Sequence, residues 1–169
     1  MNRTIASGGL ALLIVAVVTA DWLSKLWIIN RLALGDSWAL VDGWLFFVHR
    51  QNPGVAFSLF ADLSGEWRIL LFSLLRLTGI VVFSGIVRST SDPLARFGGA
   101  AVIAGAIGNM GDRVVSGEVT DFVFVAFFPF VFNVADAAIT LGGSVLAVRL
   151  AVAGDDGSST PGVANAGGA

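Results

Sequence analysis

The side chains of this chain that could do chemistry are few. There is no cysteine and one histidine, His49, so disulfides, thiol nucleophiles and thiolate metal sites are excluded, and imidazole chemistry has a single place to occur. Carboxylates, hydroxyls and amides remain. Asp121 falls in a short loop between two apolar stretches, and Asp136 lies a few residues into the second of them. If both stretches cross a membrane, the two aspartates lie at similar depth and can meet. Two carboxylates sharing a site do not both ionise easily, so one keeps its proton while the other acts as a base toward water. Amide hydrolysis needs that division of labour: a base to activate water and an acid to protonate the leaving amine.

The elements that must position this pair are apolar helices. Of 169 residues, 56% are hydrophobic and 13% charged, against about 25% charged in ordinary soluble domains, so lipid is the expected solvent. About 20 apolar residues cross a hydrocarbon core of roughly 30 Å. Four stretches qualify as spans, at about residues 8–29, 67–87, 94–115 and 132–150. The expected fold is therefore an all-α polytopic membrane protein, one embedded domain over residues 1–153 followed by a disordered, Gly-rich tail over 154–169. The first stretch could also be read as a cleaved signal peptide, with Arg3 ahead of it and Val18-Thr19-Ala20 as the cleavage site. Three further spans, and the helical pattern that continues through Asp21 to Ile29, argue against that.

The loop between the first two spans holds short extended pieces, Trp44 to Val48 and Val55 to Phe60, punctuated by a turn at Gln51-Asn52-Pro53-Gly54. All five tryptophans lie in or beside this loop, which places it at the membrane surface. The second loop on that side, Ser116 to Val131, is too short to span and too apolar for open water; it reads as a segment resting in the interface. Arg3, Arg88, Arg96 and Arg149 oppose Arg31, Arg50 and Arg68 across the spans, a distribution that leans toward cytoplasmic termini. The net charge of −2 offers no basic stripe for nucleic acid.

Polar side chains within spans cost on the order of a few kcal/mol unless they face protein or water. Asp21 and Lys25, spaced i,i+4, can pair on one helix face. Gly105, Asn109 and Asp112 share a face of the third span, as do Asn133, Asp136 and Thr140 on the fourth, and Gly105 and Gly108 allow a neighbouring backbone to come close. The plainer readings are a helix-end ion pair for Asp112 with Arg113, a surface or interfacial position for His49, and no nucleophile at Ser58 or at the Ser24-Lys25 pair. Arg76, inside the second span, must find a partner or tilt toward an interface. A proton relay and a structural subunit glued by polar residues are the competing classes. A relay should spread its carboxylates across the membrane, whereas Asp21, Asp112, Asp121 and Asp136 gather toward one side.

Five short elements, in order, resemble the bacterial lipoprotein signal peptidase (signal peptidase II) family: Asp21-Trp22-Leu23-Ser24-Lys25; Asn52-Pro53-Gly54-Val55-Ala56-Phe57-Ser58; Gly105 to Arg113; Val119-Thr120-Asp121-Phe122; and Phe132 to Ile139. Trp22 and Pro53 depart from the usual residues and touch only local loop geometry. The resemblance implies an inner-membrane aspartic endopeptidase with four transmembrane helices, cytoplasmic termini and an extracytoplasmic β-cradle between helices 1 and 2. It implies that Asp121 and Asp136 are catalytic, that Asn52, Gly105, Asn109, Arg113 and Asn133 surround the substrate, and that Asp21 supports the site. Lys25, Gly54 and Asp112 fall in the same elements and are taken as binding or supporting residues. The implied substrate is a prolipoprotein signal peptide, cut before its diacylglyceryl-modified cysteine by a monomer in contact with membrane lipid. The resemblance also implies inhibition by globomycin, and no metal or organic cofactor.

Overall fold

The computed structural model describes residues 3–54 and 65–155. The strand expected over Val55 to Phe60, with Ser58, and the tail past Asp155 lie outside the described residues. Four helices, α1 (Arg3–Arg31), α2 (Gly65–Ser89), α3 (Pro93–Ser116) and α4 (Val134–Asp155), combine with four strands, β1 (Ser37–Val41), β2 (Leu45–Asn52), β3 (Val119–Val125) and β4 (Val131–Phe132).

Local chemistry sets the ends of α3. Asp92 is its N-cap, accepting from the Ala95 backbone N–H at 2.9 Å, and Pro93 follows in the first turn, where its missing N–H costs nothing. At the other end Gly117 takes the left-handed conformation (φ 79) and its N–H closes on the Arg113 carbonyl, the usual glycine stop. Asp92 also pairs with Arg149 of α4, tying the two helices at the end remote from the sheet.

α3 is the central helix, packed against α1, α2 and α4. Its buried positions are mostly Gly and Ala, which let backbones approach where lipid offers no hydrophobic drive for helix association. A Cβ on Gly98 would come within 2.6 Å of the Gly142 carbonyl, and one on Gly105 within 2.3 Å of the Ala135 carbonyl. The outer faces of the other helices carry exposed Leu12, Val81, Leu141 and Val148, the inside-out pattern of a bundle in lipid. Three helices, over Gly8–Arg31, Leu70–Ser89 and Val134–Val152, are long and apolar enough to cross a membrane. The span expected at 94–115 is helical, but its polar residues keep α3 out of that set.

The strands form one antiparallel sheet in the order β1-β2-β3-β4. This corrects two expectations. The sheet is not built by the first loop alone, because β3 and β4 come from the segment expected merely to rest in the interface. The turn expected at Gln51 to Gly54 begins later, since β2 runs on through Asn52, with Gln51 opposite Thr120 and Asn52 opposite Val119. α4 begins at Val134, leaving Phe132 to β4, and runs to Asp155. Trp27 of α1 stacks on Trp38 and meets Phe47 edge-on, which seats the sheet on the end of α1. His49, expected at the surface, is 7% exposed. A register shift between Phe47 and Arg50 accompanies that burial, and its Nδ1 lies 2.9 Å from the Leu32 carbonyl.

Candidate active site

The site forms where the start of α4 meets α1, α3 and the sheet. Asn133 precedes α4 and caps it: the Asp136 N–H donates to Asn133 Oδ1 at 2.8 Å, and the Asn133 N–H donates back to Asp136 Oδ2 at 3.3 Å. This reciprocal capping box satisfies two groups the helix cannot satisfy itself. A third is met from α1, where Asp21 Oδ1 accepts from the Ala135 N–H at 2.9 Å. The start of α4 is thus held by its own cap and by a carboxylate from another helix.

Asn133 also reaches Asp121. Its Nδ2 donates to Asp121 Oδ1 at 2.8 Å, to Asn109 Oδ1 at 3.1 Å and to the Thr120 carbonyl at 3.3 Å. The other carboxylate oxygen, Asp121 Oδ2, accepts from Asn52 Nδ2 at 2.9 Å. Asp136 Oδ1 accepts from Asn109 Nδ2 at 2.7 Å. One asparagine therefore touches both aspartates, and the other amides each orient one carboxylate. Asp121 is 3% exposed. Burial is the main cause raising its carboxyl from the ordinary range to about 6; the Asn52 hydrogen bond opposes this, the nearby Asp136 charge adds to it, and Asn133 and Lys25 again oppose.

Lys25 anchors the network from below. Its Nζ donates to Asp21 Oδ2 at 2.6 Å and to Asn109 Oδ1 at 3.2 Å, and it forms an ion pair with Asp112 Oδ2 at 2.8 Å. Lys25 is 2% exposed and Asp21 1%, and buried charges survive only when paired in this way. Asp112 Oδ2 also accepts from the Thr120 N–H at 3.2 Å, fixing the strand residue beside Asp121. The pairing expected between Asp112 and Arg113 is therefore corrected: adjacent helical positions point about 100° apart, and Asp112 turns to Lys25. Arg113 instead donates to the backbone carbonyls of Pro53, Asn52 and Gly117, holding the end of β2 over the bundle. Gly54 follows at φ 84, its N–H donating to Asn52 Oδ1 at 2.8 Å. A Cβ there would meet Arg113 Nη2 at 2.6 Å and the Phe72 ring at 2.9 Å.

Of the residues singled out in the sequence, Asp21, Lys25, Asn52, Asn109, Asp112, Asp121, Asn133 and Asp136 form one connected set. Arg113 and Gly54 brace Asn52. Gly105, expected beside the substrate, lies against the Ala135 backbone between α3 and α4. Thr140, expected on the polar face of α4, is exposed and its carbonyl accepts from Ser144. Sequence reasoning missed Thr120 and Gln51. Thr120 is 4% exposed, and its Oγ1 accepts from Gln51 Nε2 at 3.2 Å; Val119 to Val125 lacks the clean polar–apolar alternation that would have marked it as a strand.

Three helices apolar enough to cross a membrane, packed with a fourth around a buried, amide-lined carboxylate cluster beside a small sheet, define an integral-membrane class of protein. Residues 13–152 match the family model described as Signal peptidase (SPase) II. The chain is 34% identical over 138 residues to the lipoprotein signal peptidase of Syntrophomonas wolfei, covering 82% of this chain and 89% of that one. It is 39% identical over 146 residues to that of Caulobacter vibrioides, covering 82% and 84%. A solved structure titled as a bacterial membrane enzyme determined by the in meso method at 2.3 Å superposes with a TM-score of 0.79 at 26% identity, over 92% of this chain and 94% of that one. The chain belongs to the signal peptidase II family.

Proposed function

We propose that Asp121 and Asp136 are the catalytic pair by which this chain, an aspartic protease of its family, removes signal peptides from prolipoproteins by cutting before the lipidated cysteine. The observation that carries the assignment is Asn133, whose side chain bonds Asp121 while accepting from the Asp136 N–H and so holds both carboxylates in one frame. In the mechanism, the ionised carboxylate takes a proton from water as that water attacks the scissile carbonyl carbon. The protonated carboxyl then supplies a proton as the tetrahedral intermediate releases its amine. Asp121, raised to about 6 with the Asp136 charge among the causes, is the member suited to hold the shared proton. Asn52, Asn109 and Asn133 orient the pair, and Asp21, Lys25 and Asp112 hold the elements that carry it. Arg113 and Gly54 shape the edge over which the substrate backbone lies; Gly105 acts through helix packing.

On this reading residues 1–153 form one membrane-embedded domain, α3 is the fourth transmembrane span, and both termini are cytoplasmic in the bacterial inner membrane. The sheet forms an extracytoplasmic cradle over the pair. A diacylglyceryl group anchored in lipid delivers the scissile bond to that depth, and globomycin-type inhibitors occupy the same place. The decisive experiment is cleavage of a lipidated prolipoprotein in detergent by Asp121→Asn and Asp136→Asn. Both variants are expected to purify folded and to lose turnover. Retained turnover in either removes that residue from the chemistry.

A further inference from the structure

Arg76 lies inside α2, and the only other charged residue in the apolar stretch Leu70–Ser89 is Arg88 at its end. A guanidinium held in lipid is costly, so a cation kept there signals a task. Among the described residues Arg76 makes no ion pair. Its Nη1 donates to the Phe72 carbonyl one turn toward the sheet at 3.2 Å, and its guanidinium lies 5.9 Å from the Phe72 ring centroid. Arg113 lies 5.1 Å from the centroid of the same ring. Phe72 thus brings two guanidiniums to one ring, one from α2 and one from α3, and that ring lies against Gly54, two residues from the Asn52 that donates to Asp121.

Counting the charges explains the placement. The site gathers the carboxyls of Asp21 from α1, Asp112 from α3, Asp121 from β3 and Asp136 from α4. Lys25 from α1 and Arg113 from α3 oppose them. At the rim, Glu118 acts on Arg113, and Arg50, opposite Asp121 in the sheet, turns its Nη1 to the His49 carbonyl; these two offset each other. His49 Nδ1 faces the Leu32 carbonyl. With Arg76 as the third cation, the four inner carboxyls reach neutrality when they hold one proton between them. Without it, neutrality takes two protons among the four, so the pair holds its shared proton to higher pH and gains its second proton more readily.

We propose that Arg76 is a positioning residue that, seated on Phe72, completes the charge balance of the site and leaves Asp121 and Asp136 with one shared proton. The proposal rests on the peptidase reading above. Arg76 supplies charge rather than contact, because the pair's hydrogen bonds come from Asn52, Asn109 and Asn133.

The test is the pH dependence of kcat/KM for a lipidated prolipoprotein, measured on the full chain in detergent with Arg76→Gln, Arg76→Met and Arg76→Lys. Gln and Met are less costly in lipid than Arg, so both variants are expected to insert and fold. A unit charge at roughly 10 Å in an effective dielectric of about 20 moves a titration by about one pH unit. Removing a cation makes the pair hold its protons more tightly, so Gln and Met are expected to shift the profile upward by about half to one unit, and Lys to restore it. A profile that stays at the wild-type pH in both neutral variants, or moves equally in Lys, overturns the proposal. Turnover retained by Asp121→Asn or Asp136→Asn would defeat the peptidase reading instead, and with it the shared proton that Arg76 balances.

Discussion

Asn133 does three things: its side-chain oxygen caps α4 through the Asp136 N–H, its side-chain nitrogen holds Asp121, and its backbone N–H donates to the Asp136 carboxylate. Changing it to Asp separates these duties. Asp caps a helix about as well as Asn, so Asn133→Asp is expected to keep its fold, measured by thermal unfolding in detergent. It places a third carboxylate against the pair, however, and removes the donor to Asp121, so cleavage is expected to fall at least about a hundredfold, equivalent to about 2.7 kcal/mol. Near wild-type turnover would show that the bridge is not required. The raised carboxyl of Asp121 makes a second prediction. In the free enzyme the shared proton leaves near pH 6, so kcat/KM is expected to decline as pH rises through that region. Substrate excludes water and further disfavours the charged form, so the decline in kcat is expected at higher pH. Measured profiles with the two declines in the opposite order would contradict the assignment of the proton to Asp121.

Among the elements, the contact between α3 and α4 sets the tolerance of the site. Gly105→Ala would press a methyl against the Ala135 carbonyl, and overpacking of this kind typically costs about 1–3 kcal/mol. Asn109 lies one turn further along α3, so the same change is expected to loosen its hydrogen bond to Asp136 and lower both the melting temperature and turnover; a neutral result in both assays would deny this contact a positioning role. Asp21→Ala leaves Lys25 with Asp112 as its remaining carboxylate and the Ala135 N–H unmet, at a cost of about 1–3 kcal/mol; an unchanged melting temperature in detergent would contradict this. Much of this was legible before the structure. The apolar runs gave the helices, and i,i+4 spacing gave Asp21 with Lys25. The second partner of Lys25 was not legible, because Asp112 stands beside Arg113 in sequence and only the packing of α1 on α3 chooses between them. Nor was the closure of one sheet from two loops, since the aromatic run after Asp121 obscured strand alternation in Val119 to Val125. The burial of His49 comes with a local shift of register that no residue pattern announces.

At the scale of the whole molecule, three helices are pinned by polar bonds: α1 to α4 through Asp21, α1 to α3 through Lys25, and α3 to α4 through Asn109 within the bundle and Arg149 at its partly exposed end. α2 is different. It packs chiefly on α3, and Arg76, in the middle of its apolar stretch, bonds within its own helix. Because the protein has no native cysteine, pairs introduced by mutation can be crosslinked without interference. Joining α1 to α4 is expected to leave cleavage unchanged, while joining α2 to a neighbour is expected to slow it; equal effects would argue for a uniformly stiff body. Two kinds of join therefore hold one barrel: rivets between three staves, and a plain seam where the fourth lies chiefly along one neighbour.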